Sequence, residues 1–176
     1  GDFQIRHASK SNSVFSEELI AFSISSKSLA ATIGTPASPS FVSTLTAANG
    51  NGLYISGKYA YVADGSTGLS IIDISNPSAP VVISNTATGG DGNGVHVSGR
   101  YAYVADGTAG LRIMDISNPS APVVVSRISL TTAAHDRVYV SGRYAYVADD
   151  TGGLKIIDIS NPAAPVLGST RATGAA

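Results

Sequence analysis

VHVSGRYAYVADGTAGLRIMDISNPSAPVVV, residues 95–125, decides the fold because the chain writes it three times. Residues 53–83 read LYISGKYAYVADGSTGLSIIDISNPSAPVVI, and residues 138–167 read VYVSGRYAYVADDTGGLKIIDISNPAAPVL. Ser56, Ser98 and Ser141 hold the same place, so the copies repeat at intervals of 42 and 43 residues. A fixed period of that length marks repeat architectures, in which each unit buries its apolar face only by stacking on a neighbour. Helical repeats of this period need amphipathic runs of about ten residues or more, and the phrase holds none. It splits instead into four short β-runs. The first (LYIS, VHVS, VYVS) meets the second (YAYVAD) through Ser-Gly and one cation, the spacing of a tight hairpin. A Gly-containing link leads to the third (LSIID, LRIMD, LKIID). Asn-Pro-x-Ala-Pro then separates it from a fourth run of valines, since proline interrupts a central ladder.

Alternation inside the runs says what covers them. Tyr59 and Tyr61 share one face of the second strand while Ala60 and Val62 share the other, and Tyr101/Tyr103 and Tyr144/Tyr146 repeat the pattern. In the third strand Leu69 and Ile71 face one way and Ile72 and Ile74 the other, so both faces are apolar and both need cover. A four-stranded sheet placed between two copies of itself, bulky face on small face, satisfies this. The pattern therefore predicts an all-β β-propeller built from four-stranded antiparallel blades of about 42 residues.

The first fifty residues read as a degenerate copy. Thr35-Pro36-Ala37-Ser38-Pro39 stands 41 residues before Asn76-Pro77-Ser78-Ala79-Pro80 and is followed by SFVSTLTA, where a fourth strand belongs. ELIAFSIS and SLAATIG, joined by SSK, resemble a second and a third strand. The expected division is an N-terminal segment with a degenerate blade over 1–51, blades over 52–93, 94–136 and 137–171, and a tail at 172–176. Four units make either a small closed ring or a piece of a larger propeller.

The phrase SGRYAYVADGTAGLRIMDISNPSAPVVV resembles the LVIVD repeat of bacterial and archaeal proteins, whose name follows the third strand, here LSIID, LRIMD and LKIID. The resemblance covers residues 52–171. AFSISSKSLAATIGTPAS is more loosely similar to blades of lactonase-like propellers. The LVIVD resemblance implies a β-propeller found in exported or surface proteins, with no catalytic activity attached to the repeat itself.

Composition narrows the function classes. Eleven Lys and Arg against twelve Asp and Glu leave a net charge of −1, and 13 % of the 176 residues are charged. That balance lacks the basic footprint of nucleic-acid binders, so no nucleic-acid partner is expected. Mean hydropathy is +0.18, but its apolar runs are far shorter than the roughly 18 residues of a membrane helix, so no membrane insertion is expected. The absence of Cys excludes disulfides, thiolate metal sites and cysteine nucleophiles. The chain opens at Gly1 with no basic and apolar leader, so any signal peptide is expected outside it.

Candidate chemistry is sparse. Asp64, Asp106 and Asp149 end the second strands, where an Asp before Gly or Asp accepts backbone N–H bonds and shapes a turn. A shared calcium ion would need six to eight oxygens, about the full coordination shell, whereas equivalent positions on stacked sheets lie about 10 Å apart. Asp73, Asp115 and Asp158 sit in apolar runs and require hydrogen-bond partners. A glycosidase carboxylate pair about 5–10 Å apart in an open cleft is the competing reading, and identical placement in every copy opposes it. His96 takes the slot of Tyr54 and Tyr139 and reads as a core ring with a polar tip. Lys58, Arg100 and Arg143 read as solvated turn charges along one rim. No zinc, EF-hand, phosphate-loop or Gly-x-Ser-x-Gly pattern is present, so neither metal nor cofactor is expected.

The ligand-binding candidate is positional. Asn51, Asn93 and Asp136 are equivalent, each two residues before the first strand's opening Leu or Val, and Asp91 and His135 stand beside them. In a propeller that link enters the innermost strand and gathers polar side chains at the channel mouth. The expectation is a non-catalytic interaction or structural module, extracellular or on a cell surface, that binds a protein or glycan partner and self-associates if the propeller is incomplete. The alternative is a lactonase- or glycosidase-like enzyme at the same mouth.

Overall fold

The computed structural model describes residues 20–25, 28–33, 49–130, 135–149 and 152–171, with side chains for 49–130, 137–149 and 152–171. The chain divides into two compact units, Gly1–Phe41 and Val42–Ala176. In the first, β1 (Ile20–Ser25) and β2 (Ser28–Ile33) form an antiparallel hairpin with Ile20 opposite Ile33 and Ser25 opposite Ser28. They fall on ELIAFSIS and SLAATIG. SFVSTLTA, expected as a fourth strand, lies outside the described residues.

The second unit contains three four-stranded antiparallel sheets, each with its strands in chain order. They are β3 (Gly50–Ser56) to β6 (Val81–Thr86), β7 (Gly94–Ser98) to β10 (Val123–Ile128), and β11 (His135–Ser141) to β14 (Val166–Arg171). The second strands are β4 (Tyr59–Asp64), β8 (Tyr101–Ala105) and β12 (Tyr144–Asp149); the third strands are β5 (Leu69–Asp73), β9 (Leu111–Asp115) and β13 (Gly153–Asp158). The chain is thus all-β with propeller-like blades. No described helix is long and apolar enough to cross a membrane.

Turn chemistry sets the registers. Ser56 pairs with Tyr59, Ser98 with Tyr101 and Ser141 with Tyr144 across two-residue turns. Their first residues, Gly57, Gly99 and Gly142, have φ of 57–58°, the primed-turn conformation that follows strand twist. In the third-to-fourth link the Asn76 side chain accepts the backbone N–H of Ser78, and Asn118 and Asn161 do the same for Ser120 and Ala163. The second-to-third turn makes the tightest demand. At Gly110 (φ +87°) an added Cβ would lie 2.2 Å from the carbonyl oxygen of Ile128, on the neighbouring outer strand.

The core lies between sheets. Tyr61, Ala63, Leu69 and Ile71 of the first blade bury against Val95, Val97, Ala102, Val104, Met114 and Ile116 of the second. Tyr103, Ala105, Leu111 and Ile113 of the second bury against Val138, Val140, Ala145, Val147, Ile157 and Ile159 of the third, with Leu130 alongside. One blade's tyrosine face thus meets the next blade's alanine and valine face in both junctions. His96 departs from expectation: it is half-buried, its ring 4.5 Å from Tyr54 and 4.8 Å from Tyr139, so a ladder of rings crosses the three first strands. Burial lowers its pKa because the charged ring loses water.

The fold carries two expected outcomes in urea unfolding. Ile113→Ala, at a position with no solvent exposure, costs about 2–5 kcal/mol. Gly99→Ala, with open space where its Cβ would go, costs about 1–2 kcal/mol from backbone conformation alone; Gly110→Ala costs more, because its Cβ meets backbone.

Candidate functional site

The first strand's beginning and the second strand's end pair in every blade, Gly50 with Asp64, Gly94 with Ala105 and His135 with Asp149. The link into each blade and the turn between its second and third strands therefore share one end of the sheet. In the first and third blades a bulge falls between Gly50 and Gly52 and between His135 and Arg137, making Asn51 and Asp136 the extra residues. A bulge re-aims a side chain that would otherwise alternate with the strand.

At this end the first two blades enclose an open cleft of about 350 Å³ lined by Asn49, Asn51, Gly65, Ser66, Asp91, Asn93, Gly107 and Thr108. Asn51 Nδ2 donates to Asn93 Oδ1 and to the Gly92 carbonyl, both at 3.2 Å, so equivalent positions of adjacent blades touch. Below them Gly65 and Gly92 exchange backbone hydrogen bonds of 3.0 and 2.8 Å, tying the turn of one blade to the link of the next. Gly92 is required there: a Cβ would sit 2.7 Å from the Gly68 carbonyl oxygen.

Of the five residues marked in the sequence, Asn51, Asp91 and Asn93 line this cleft. His135 and Asp136 stand at the start of β11, and their side chains lie outside the described residues.

A buried carboxylate ends the second strand of each blade, and the partners of Asp64, Asp106 and Asp149 reach beyond the turn expected of them. Asp64 accepts the backbone N–H of Asn49 at 2.6 Å and the Ser70 hydroxyl at 3.2 Å. Asp106 accepts the Thr88 hydroxyl and, at 3.2 Å, Arg112 Nε. Asp149 lies 3.5 Å from Lys155 Nζ, with side-chain exposures of 0 % and 6 %. Asp64 and Asp106 each join a link to a third strand from within, and Asp149 pairs with the third strand of its own blade. Their partners Ser70, Arg112 and Lys155 occupy one position of the repeat at which every copy differs. The signal was present: a polar residue follows the first Leu of each third strand, on the same face as the Asp that ends the second.

The opposite end of the hairpin holds a second repeated cluster. Lys58 lies 3.2 Å from Asp73, and Arg100 and Arg143 pair with Asp115 and Asp158. Each cation also lies over the tyrosine that follows it, 5.1–5.5 Å from the ring centroid. The three are ion-paired rather than simply solvated. Their carboxylates end the third strands and accept the backbone N–H of Ser75, Ser117 and Ser160. Ser160, through its hydroxyl and backbone, and then Arg143 hold the Asp158 carboxyl down at about 2; Arg100 and Ser117 hold Asp115 well below the usual carboxylate range.

Repeated blades with a preorganised polar cleft between them define a propeller-like repeat module. A family model for the LVIVD repeat matches residues 49–88, 89–129 and 134–173, well over half of the chain, so the chain belongs to the LVIVD repeat family. No curated protein matches it.

Two outcomes follow. Arg112→Met strips the buried Asp106 of its cation and costs about 3–5 kcal/mol in urea unfolding, whereas Arg100→Met, at an exposed pair, leaves the urea midpoint nearly unchanged. Because the folded carboxyl of Asp158 titrates below the unfolded value of about 3.9, the unfolded chain takes up the proton first as pH falls. Its contribution is present above about pH 4 and is lost towards about pH 2. Asp158→Asn should therefore flatten the melting temperature across that window, which a pH series of melts checks.

Proposed function

We propose that the chain is a non-catalytic binding module of an exported or cell-surface protein of bacterial type, and that the cleft between the first two blades takes a neutral, hydroxyl-rich ligand of the glycan class. The observation that carries this reading is the meeting of Asn51, Asp91 and Asn93, with the Ser66 and Thr108 hydroxyls, in one open cleft. Amides supply paired donors and acceptors, the Asp91 carboxylate accepts from sugar hydroxyls, and the backbone bonds beneath fix their positions, which lowers the ordering cost of binding. The low charge of the chain suits a neutral ligand better than an anionic one. Export is supported by the family resemblance and by loops rich in Ser, Thr, Gly and Asn.

Enzymatic chemistry finds less support. Asp91 is the one carboxylate lining the described cleft, while Asp64 and Asp106 beneath it are engaged with Asn49, Ser70, Thr88 and Arg112. Among the described residues no three His, Cys, Asp or Glu side chains gather to hold a metal.

Screening neutral oligosaccharides by amide chemical-shift perturbation tests the reading. Shifts centred on Asn51, Asp91 and Asn93, weakened roughly tenfold by Asp91→Ala with unfolding unchanged, are expected. Shifts located elsewhere, turnover of the sugar, or capture of protein with no response to sugars would refute it.

A further inference from the structure

The chain enters its first two blades through Asn49-Gly50-Asn51-Gly52 and Asp91-Gly92-Asn93-Gly94, so every amide or carboxylate side chain that lines the cleft precedes a glycine. Asn before Gly is the pairing most open to attack by its own backbone, because no side chain screens the following nitrogen and glycine reaches backbone angles that other residues avoid. By sequence the chain's three Asn-Gly pairs are nearly alike, and the fold sets them apart. Asn51 is pinned by two side-chain bonds of 3.2 Å, to the Gly92 carbonyl and to Asn93 Oδ1. Gly52 behind it is buried, and a Cβ there would lie 2.8 Å from the Asn93 carbonyl oxygen. Asn93 accepts that bond from Asn51, donates its backbone N–H to Ala105 at 2.8 Å, and is followed by the buried Gly94. At Asp91-Gly92 the glycine N–H is itself bound, 2.8 Å from the Gly65 carbonyl. Asn49 and Gly50 are both exposed, and Gly50 opens β3, where a strand end frays. The backbone N–H of Asn49 binds Asp64, while among the described residues its carboxamide makes no hydrogen bond.

We propose that Asn49 is a site of spontaneous deamidation, the one of the three Asn-Gly pairs that the fold leaves reactive. The Gly50 nitrogen, its proton taken by hydroxide, attacks Asn49 Cγ; the N–Cγ bond forms, the Cγ–Nδ2 bond breaks, and the amide nitrogen leaves as ammonia with a proton from water. Water then opens the cyclic imide at either carbonyl, leaving an aspartyl or an isoaspartyl linkage. Either product adds a carboxylate to the cleft that already holds Asp91. The isoaspartyl form also lengthens the backbone by a methylene next to the N–H that anchors Asp64.

Incubating the folded chain in mildly alkaline buffer, with tandem mass spectrometry to resolve each position, tests this. Asn49 should convert at least about tenfold faster than Asn51 or Asn93, whose reacting atoms are held apart, with isoaspartate at position 49 and a rate that rises with pH. In the chain unfolded by guanidinium the three should convert at similar rates, because the protection is gone. Equal rates in the folded chain, faster conversion at Asn51 or Asn93, or an intact Asn49 would overturn the proposal. So would the same ranking in the unfolded chain, since sequence and not the fold would then set it.

Discussion

Tyrosine on alanine across the gap between sheets is the contact on which the rest depends. Tyr61 and Tyr103 each lie in a cluster whose far side is built from Ala and Val of the next blade, so a large side chain fills the space that small ones leave. That complementarity works only if the second strand alternates large and small and the third is apolar on both faces. Both features are written into every copy. It also makes a blade an incomplete object: a single sheet leaves two apolar faces in water, and stacking removes one pair of faces at a time.

With the sheets held this way, their ends come to carry the polar chemistry. At one end the buried Asp64 and Asp106 bind links and third strands from inside, and the cleft residues next to them inherit that rigidity. The partners differ from blade to blade, Ser70 in the first, Arg112 in the second and Lys155 in the third. A neutral hydroxyl satisfies one carboxylate while cations satisfy the others, so the repeat is uniform in packing and individual in its buried electrostatics. At the other end of each hairpin a cation, a tyrosine and a carboxylate close the strand ends in the same manner three times.

Much of this was legible because it is periodic. The blades, the glycine turns, the Asn-Pro punctuation and the meeting of Asn51 with Asn93 follow from spacing alone. What escaped was pairing between positions distant in sequence. Spacing alone makes Lys58 a solvated charge and Asp73 a carboxylate that needs a partner, whereas the register that sets Tyr59 opposite Asp73 brings Lys58 alongside it. Local sequence ties Asp64 to its own turn, yet it accepts from Asn49, fifteen residues earlier. His96 looked like a core residue because its counterparts are tyrosines, whereas those tyrosines themselves stand half-buried or exposed in a ladder of rings. In each case local pattern gave the strand and the face, and the partner came from an adjoining strand or blade.

Nuclear Overhauser contacts between methyl and aromatic protons in the isolated chain test the stacking directly. The account predicts contacts from the side chains of Tyr61 and Ile71 to Val97, Val104 and Met114, and an equivalent set from Tyr103 and Ile113 to Val140, Val147 and Ile157. Contacts confined within each sheet, with none joining these two sets, would contradict it.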